Sequence, residues 1–200
     1  MVSYTSAWVL PISGEPIHHG SVTVQDGRIV AVHEAATAGD GTVAIDLGRV
    51  AILPALVNAH THLELSYLRG VIPPTERFLD WIRAVMAVRP RYPDAGDPRI
   101  LDAARAGIAE ARASGTGLIG DISNTLVTAR LLREAGVPAQ IFHELLRFNA
   151  SDPESMTREA RAKADAAASR DGLVRVSLAP HAPYSVSPGL FAAIRADLDA

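Results

Sequence analysis

After residue 50 the chain repeats one phrase four times: an apolar run of strand length, then a segment of helix length. The strand-like runs cover residues 51–58, 117–122, 139–146 and 173–179. The helix-like segments lie near residues 77–88, 98–113, 125–135 and 152–170, and another opens at Ser187-Pro188. Antiparallel strands can be joined by two residues, whereas parallel strands need a crossover of a dozen or more. The spacing therefore predicts βαβ units and a parallel sheet, in either an open wound sheet or a (β/α)8 barrel. Local signals agree. Asp97-Pro98 and Asp152-Pro153 each set an N-cap before a proline at the first helical position, and Gly115, Gly136 and Gly172 mark helix ends. The strand-like runs are largely apolar, as strands covered on both faces should be. No glycine-rich phosphate loop follows any of them, which argues against a dinucleotide-binding sheet.

Residues 1–50 have a different rhythm. Ser21 to Gln25 alternates, Asp26-Gly27 is a turn signal, and Arg28 to Val32 continues as a second short strand, the pattern of a β-hairpin. Residues 35–41 read as a loop and residues 42–47 as another strand stopped by Gly48. The expected organisation is a small β portion over 1–50 and an α/β portion over 51–200.

Composition narrows the chemistry. Hydrophobic residues make up 48% of the 200, enough for a sizeable core, and the formal net charge is −3. That balance gives no electrostatic footprint for nucleic acid or an anionic membrane, so neither is an expected partner. Cysteine is absent, so a metal would have to be held by His, Asp, Glu or water. The first residues lack the basic and apolar regions of a secretory signal, and no run approaches a membrane span, so the expected location is the cytoplasm.

The first long strand run leads into Asn58-Ala59-His60-Thr61-His62. Side chains at i and i+2 of a strand share a face, so His60 and His62 point the same way. Two imidazoles at the mouth of a strand are half of a divalent-metal site. A lone His-x-His can equally be two ordinary core or surface residues. Here further polar groups lie at the ends of later strands, where βα loops build active sites. They are Asp121 and Asn124, the neighbours His143 and Glu144, and His181 between two prolines. Only one of His143 and Glu144 can face a pocket, and a carboxylate beside a metal favours Glu144. Asp121 and Asn124 could instead cap the next helix. Glu64 and Arg69 could line the pocket or pair with each other. Phe78, Trp81 and Ile82 read as one packed helix face, and Arg158, Arg161, Lys163 and Asp165 as a solvated one.

The stretch Leu53-Pro54-Ala55-Leu56-Val57-Asn58-Ala59-His60-Thr61-His62-Leu63-Glu64 resembles the signature of the metal-dependent amidohydrolase superfamily. It is most similar to the cytosine-deaminase-like and chlorohydrolase-like branch, which includes aminodeoxyfutalosine, adenosylhomocysteine and guanine deaminases. Asp26-Gly27-Arg28-Ile29, Leu68-Arg69-Gly70 and Ala179-Pro180-His181-Ala182-Pro183-Tyr184-Ser185 agree with it. One departure is Ala55, where the family usually has glycine, and a modest local adjustment is expected there.

The resemblance implies a partial (β/α)8 TIM barrel of about four βα units, preceded by part of a small β-sandwich. It implies one divalent metal, zinc first and iron or manganese as alternatives, with His60 and His62 among its ligands. His181, Glu144 and Arg69 would contact substrate. The implied activity is hydrolytic deamination of an N-heterocyclic, purine- or nucleoside-like small molecule by a metal-activated water. Chlorohydrolase or cyclic-amide hydrolase chemistry on the same scaffold is the alternative, as is a truncated non-catalytic relative. Homo-oligomers are common in the family. The family's third histidine, its proton-shuttling His-x-x-Glu and a late aspartate find no match before Ala200, so the catalytic residues stay unknown. A barrel takes about 250 residues. Residues 1–200 alone are therefore expected to fold poorly, bind metal weakly and leave substrate unchanged.

Overall fold

The structure, a computed structural model, describes residues 1–35 and 41–199. Most of the loop expected over 35–41 lies outside the described residues. The chain divides into two compact units, Met1–Ala55 and Leu56–Ala200.

The first unit is all β. Strands β1 (Val2–Thr5), β4 (Ser21–Gln25), β5 (Arg28–His33) and β6 (Val43–Asp46) form a sheet of order β5-β4-β1-β6. The β4–β5 hairpin turns at Asp26 and Gly27, with φ of 50° and 74°. Positive φ at both central residues matches the right-handed twist of the flanking strands, which is why Asp-Gly marks such turns. A second sheet of order β3-β2-β7 joins β2 (Trp8–Val9), β3 (Ile17–His18) and β7 (Ala51–Ile52).

The single strand expected over 51–58 is in fact two. β7 pairs in parallel with β2, whereas β8 (Leu56–Thr61) belongs to the sheet of the second unit. Pro54 lies between them and has no N–H to give a ladder, so the run is interrupted there. Ala55 is not among the residues with positive φ, so it does not need the glycine geometry.

The second unit is mixed α/β. Its sheet holds β8, β9 (Thr116–Ser123), β10 (Ala139–Leu145) and β11 (Val174–Pro180), all parallel and in chain order. Helices α1 (Phe78–Val88) and α2 (Pro98–Ala113) lie between β8 and β9 in sequence. Then come α3 (Thr128–Glu134), α4 (Pro153–Ala167) and α5 (Pro188–Leu198). Asp97, Asp152 and Ser187 each cap a helix, accepting from the backbone N–H of Arg99, Ser155 and Leu190. Gly115, Gly136 and Gly172 follow elements with φ of 88°, 64° and 75°.

The two faces of this sheet differ. Along β10 the odd residues are buried and the even ones half-buried. Ala139 and Ile141 pack with Ala104 and Ile108 of α2 and Leu131 of α3. Leu145 packs with residues of α4 and α5. The even residues look onto the other face, where Leu56, Val57 and Leu118 are 54%, 61% and 40% exposed. The expectation of strands covered on both faces thus holds for one face only among the described residues.

Two helix-face readings also change. Phe78 and Trp81 stack on each other but stay exposed, and the buried residues of α1 are Val85 and Val88. Arg161 leaves the solvated face of α4 to pair with Asp197 of α5.

Candidate active site

The end of β8 carries the histidine pair. Thr61 pairs with Asp121 on the helix-covered side of the ladder, so His60 and His62 take the open face. Their ring centroids are 5.3 Å apart, edge to face. Gly120 on β9 lets the strands approach closely, since a Cβ there would stand 2.5 Å from the Ala59 carbonyl oxygen. Burial lowers the pKa of His62, and the nearby His60 adds to the shift, while the charges of Glu144 and Glu64 and a backbone hydrogen bond with Ile122 oppose it. A neutral imidazole is the form that ligates a metal.

The neighbours His143 and Glu144 separate cleanly. His143 is buried on the helix-covered face, and its Nδ1 lies 3.2 Å from the Ser123 carbonyl oxygen. A carbonyl only accepts, so Nδ1–H donates. Burial lowers its pKa, and that hydrogen bond partly offsets the effect. Glu144 takes the open face with the histidine pair. His181 directly follows β11. Its Nδ1 is 2.6 Å from Ser185 Oγ, which itself donates to the Ala182 carbonyl. Nδ1–H is therefore the donor, and no hydrogen bond engages Nε2 among the described residues. Tyr184 stands edge-on to the ring at 5.9 Å.

Arg69 lies apart from this group. Its guanidinium holds Glu110 of α2 at 2.7 Å, and both side chains are mostly exposed. Glu64 and Arg69 do not pair with each other. Glu64 turns inward, to Ser123, Asn124, Thr125 and Arg89. Asp121 caps no helix by itself. It accepts from Leu63 N and from Thr128 Oγ1 and is wholly buried, which pushes its pKa up to about 7. Asn124 bridges Arg89 and Glu144. Arg89, Ser123, Thr125 and Thr128 went unnoticed in the sequence: Ser123 and Thr125 meet Glu64 across about sixty positions of chain and Arg89 meets Asn124 across 35, while Thr128, only seven residues from Asp121, carries no motif that marks it.

Among the described residues, no three His, Cys, Asp or Glu side chains cluster tightly enough to enclose a metal. The pair itself has the right chemistry for one. Two imidazoles side by side, one of them held neutral by burial, suit an N/O-ligated divalent ion whose remaining ligands come from elsewhere.

Residues 51–200 match the amidohydrolase family. The chain belongs to that family. A 5′-deoxyadenosine deaminase of Methanothermobacter thermautotrophicus is 33% identical over 184 residues, covering 87% of this chain and 41% of the relative. Among solved structures, the Helicobacter pylori aminofutalosine deaminase bound to methylthio-coformycin superposes with a TM-score of 0.82. It is 24% identical, covering all of this chain and 48% of that one. An adenosine deaminase from Xanthomonas campestris with bound zinc gives a TM-score of 0.78 at 25% identity, covering 99% of this chain and 46% of that one. The amidohydrolase chain thus spans less than half the length of these relatives. Among the described residues no helix is long and apolar enough to cross a membrane.

Proposed function

We propose that this chain is the metal-binding and substrate-facing N-terminal part of a zinc-dependent deaminase acting on adenosine-like nucleosides. The observation that carries the reading is the His60/His62 pair on the open sheet face beside Glu144, in a member of the amidohydrolase family. The uninterrupted order β8-β9-β10-β11, with helices packed on one face, supports a sheet that forms the first half of a (β/α)8 barrel. A doubly wound sheet would reverse its order. Residues 1–50 then supply part of a separate β-sandwich.

In this reading His60 and His62 hold the zinc ion, with iron or manganese as other occupants. When bound, such an ion lowers the pKa of a coordinated water and so supplies the nucleophile. Glu144 accepts hydrogen bonds from substrate hydroxyl or amino groups. His181, with Nε2 free, contacts the heterocycle. Arg69 serves substrate only if it releases Glu110. The zinc-bound adenosine deaminase and the 5′-deoxyadenosine deaminase support this choice of metal and substrate.

The test uses the full natural open reading frame, purified with zinc. Ammonia release from 5′-deoxyadenosine, with a chlorotriazine and a cyclic amide as parallel substrates, reads the reaction class. Deamination of the nucleoside is expected, and His60→Ala should lower bound zinc and rate together. Turnover of the triazine or cyclic amide alone, or a His60→Ala variant with full zinc and full rate, would refute the proposal.

A further inference from the structure

Glu64 stands two residues after His62 in the two-turn 3-10 segment Leu63–Leu68 and is only 4% exposed. A carboxylate so placed is costly unless its lone pairs are satisfied. Its Oε2 accepts from Ser123 Oγ at 2.7 Å, Thr125 N at 3.0 Å and Thr125 Oγ1 at 2.6 Å. Its Oε1 accepts from Asn124 N at 3.1 Å and faces Arg89 Nη2 at 3.7 Å. Every partner is a donor. Three of them belong to the loop that follows β9. That loop is strained: Leu126 has φ of 62°, a region a branched, bulky residue avoids. Ser123 Oγ accepts from Leu126 N at 2.8 Å while donating to Glu64. The buried carboxylate is the acceptor around which the loop is organised.

Asn124 carries the arrangement across to the next strand. Its Oδ1 accepts from Arg89 Nη2 at 3.1 Å. Its Nδ2 donates to the Glu144 carbonyl at 3.0 Å and to Glu144 Oε2 at 3.1 Å. A guanidinium only donates and a backbone carbonyl only accepts, so the amide fits one way round. A continuous path runs from Glu64, two residues beyond the histidine pair, through the loop, to the carboxylate on the open face.

We propose that Glu64 is a positioning residue for Glu144, acting through Asn124 and Arg89 to hold the substrate-facing carboxylate in register with His60 and His62. The proposal rests on the reading of Glu144 as a substrate contact, but the geometry it predicts can be measured without substrate. Glutamine is not a conservative replacement at position 64, because its amide would turn a donor towards donors. A residue that merely filled space would tolerate it.

The experiment uses the full-length gene product in two stages. Ligand-free crystal structures of wild type, Asn124→Ala and Glu64→Gln come first. In both variants the Glu144 carboxylate should leave its position while the backbone of residues 58–62 stays. A carboxylate that remains in place in Asn124→Ala, the milder change, overturns the proposal. Kinetics with 5′-deoxyadenosine follow. Loss of the charge-assisted bond from Asn124 should raise KM about tenfold, with the effect on KM larger than that on kcat. Added to Glu144→Ala, Asn124→Ala should do little more, since both act through one contact. Full additivity, or a silent Glu64→Gln, overturns it. If the wild type deaminates no nucleoside while the carboxylate still shifts, the proposed function fails and the positioning role stands.

Discussion

Replacing Asp121 with Asn isolates one buried charge. Asp121 is wholly buried on the helix-covered face, where burial dominates its titration. The hydrogen bonds from Thr128 Oγ1 and Leu63 N pull the pKa down, Glu64 pushes it up, and the result is about 7 against an ordinary value of 3.8. The sign follows from proton counting. Between these two values the folded state holds a proton that the unfolded state has released. Stability is therefore greatest at low pH and falls as pH rises towards and past 7. Each unit of displacement corresponds to about 1.4 kcal/mol, so between about pH 5 and about pH 8 the wild type should lose about 2.5 kcal/mol through this residue alone. Asparagine fits the same space. Its oxygen can accept from Leu63 N, and its amide can donate to the Thr128 hydroxyl, which then acts as acceptor. The assay is urea unfolding followed by circular dichroism at several pH values, for wild type and Asp121→Asn. Other titrating groups cancel in the difference, so the variant should gain on the wild type by that amount as pH rises. A difference that stays flat with pH would refute the reasoning.

Two further substitutions probe the packing around the site. Gly120→Ala puts a methyl group 2.5 Å from the backbone oxygen and 2.9 Å from the carbonyl carbon of Ala59. Backbone cannot swing aside as a side chain can, so a loss of about 1–3 kcal/mol is expected and, if His60 holds zinc as proposed, less zinc is retained beside it. Unfolding and metal analysis of the full-length protein would check both effects, and unchanged values would contradict the close approach of β8 and β9. Arg161→Ala removes the clamp from α4 onto Asp197, a pair with side chains 29% and 17% exposed. A loss of about 1–3 kcal/mol is expected, and a double-mutant cycle with Asp197→Ala should show it as coupling.

Much of this architecture was legible because it is local. The N-caps at Asp97, Asp152 and Ser187, the prolines after them and the glycines past helix ends act within a few residues, and each did what its chemistry requires. The hairpin at Asp26-Gly27 is local too. The errors share the opposite character. Residues 51–58 read as one strand because hydropathy does not record that Ala51 and Ile52 find Trp8 and Val9, whereas Leu56 onward finds β9. Arg161 looked solvated because Asp197, its partner, lies 36 residues on. The histidine pair could be placed because strand alternation alone makes it face one way. The same alternation separates His143 from Glu144 only once the helix-covered face of β10 is known.

Buried polarity in the second unit is not scattered. Among the described residues from 56 onward, the buried polar side chains are Glu64, Asp121, Ser123, Thr128, His143 and Thr157. Thr157 satisfies itself within its own helix, on the Pro153 carbonyl. The other five form one seam. Asp121 ties Leu63 to Thr128, Ser123 joins Glu64, and His143 reaches the Ser123 carbonyl. Apolar contacts of similar volume would hold β8, β9 and β10 together as well or better. They are non-directional, however, and tolerate small slips. A hydrogen bond weakens steeply as its angle departs from linear, so a seam of them fixes orientation as well as proximity. The seam lies directly behind His60, His62 and Glu144. The hydrolytic site proposed above would need its metal ligands and substrate contacts fixed to within a fraction of an ångström. On that proposal, the polar residues sit on the concealed side of the sheet because the open side is where that accuracy would be used.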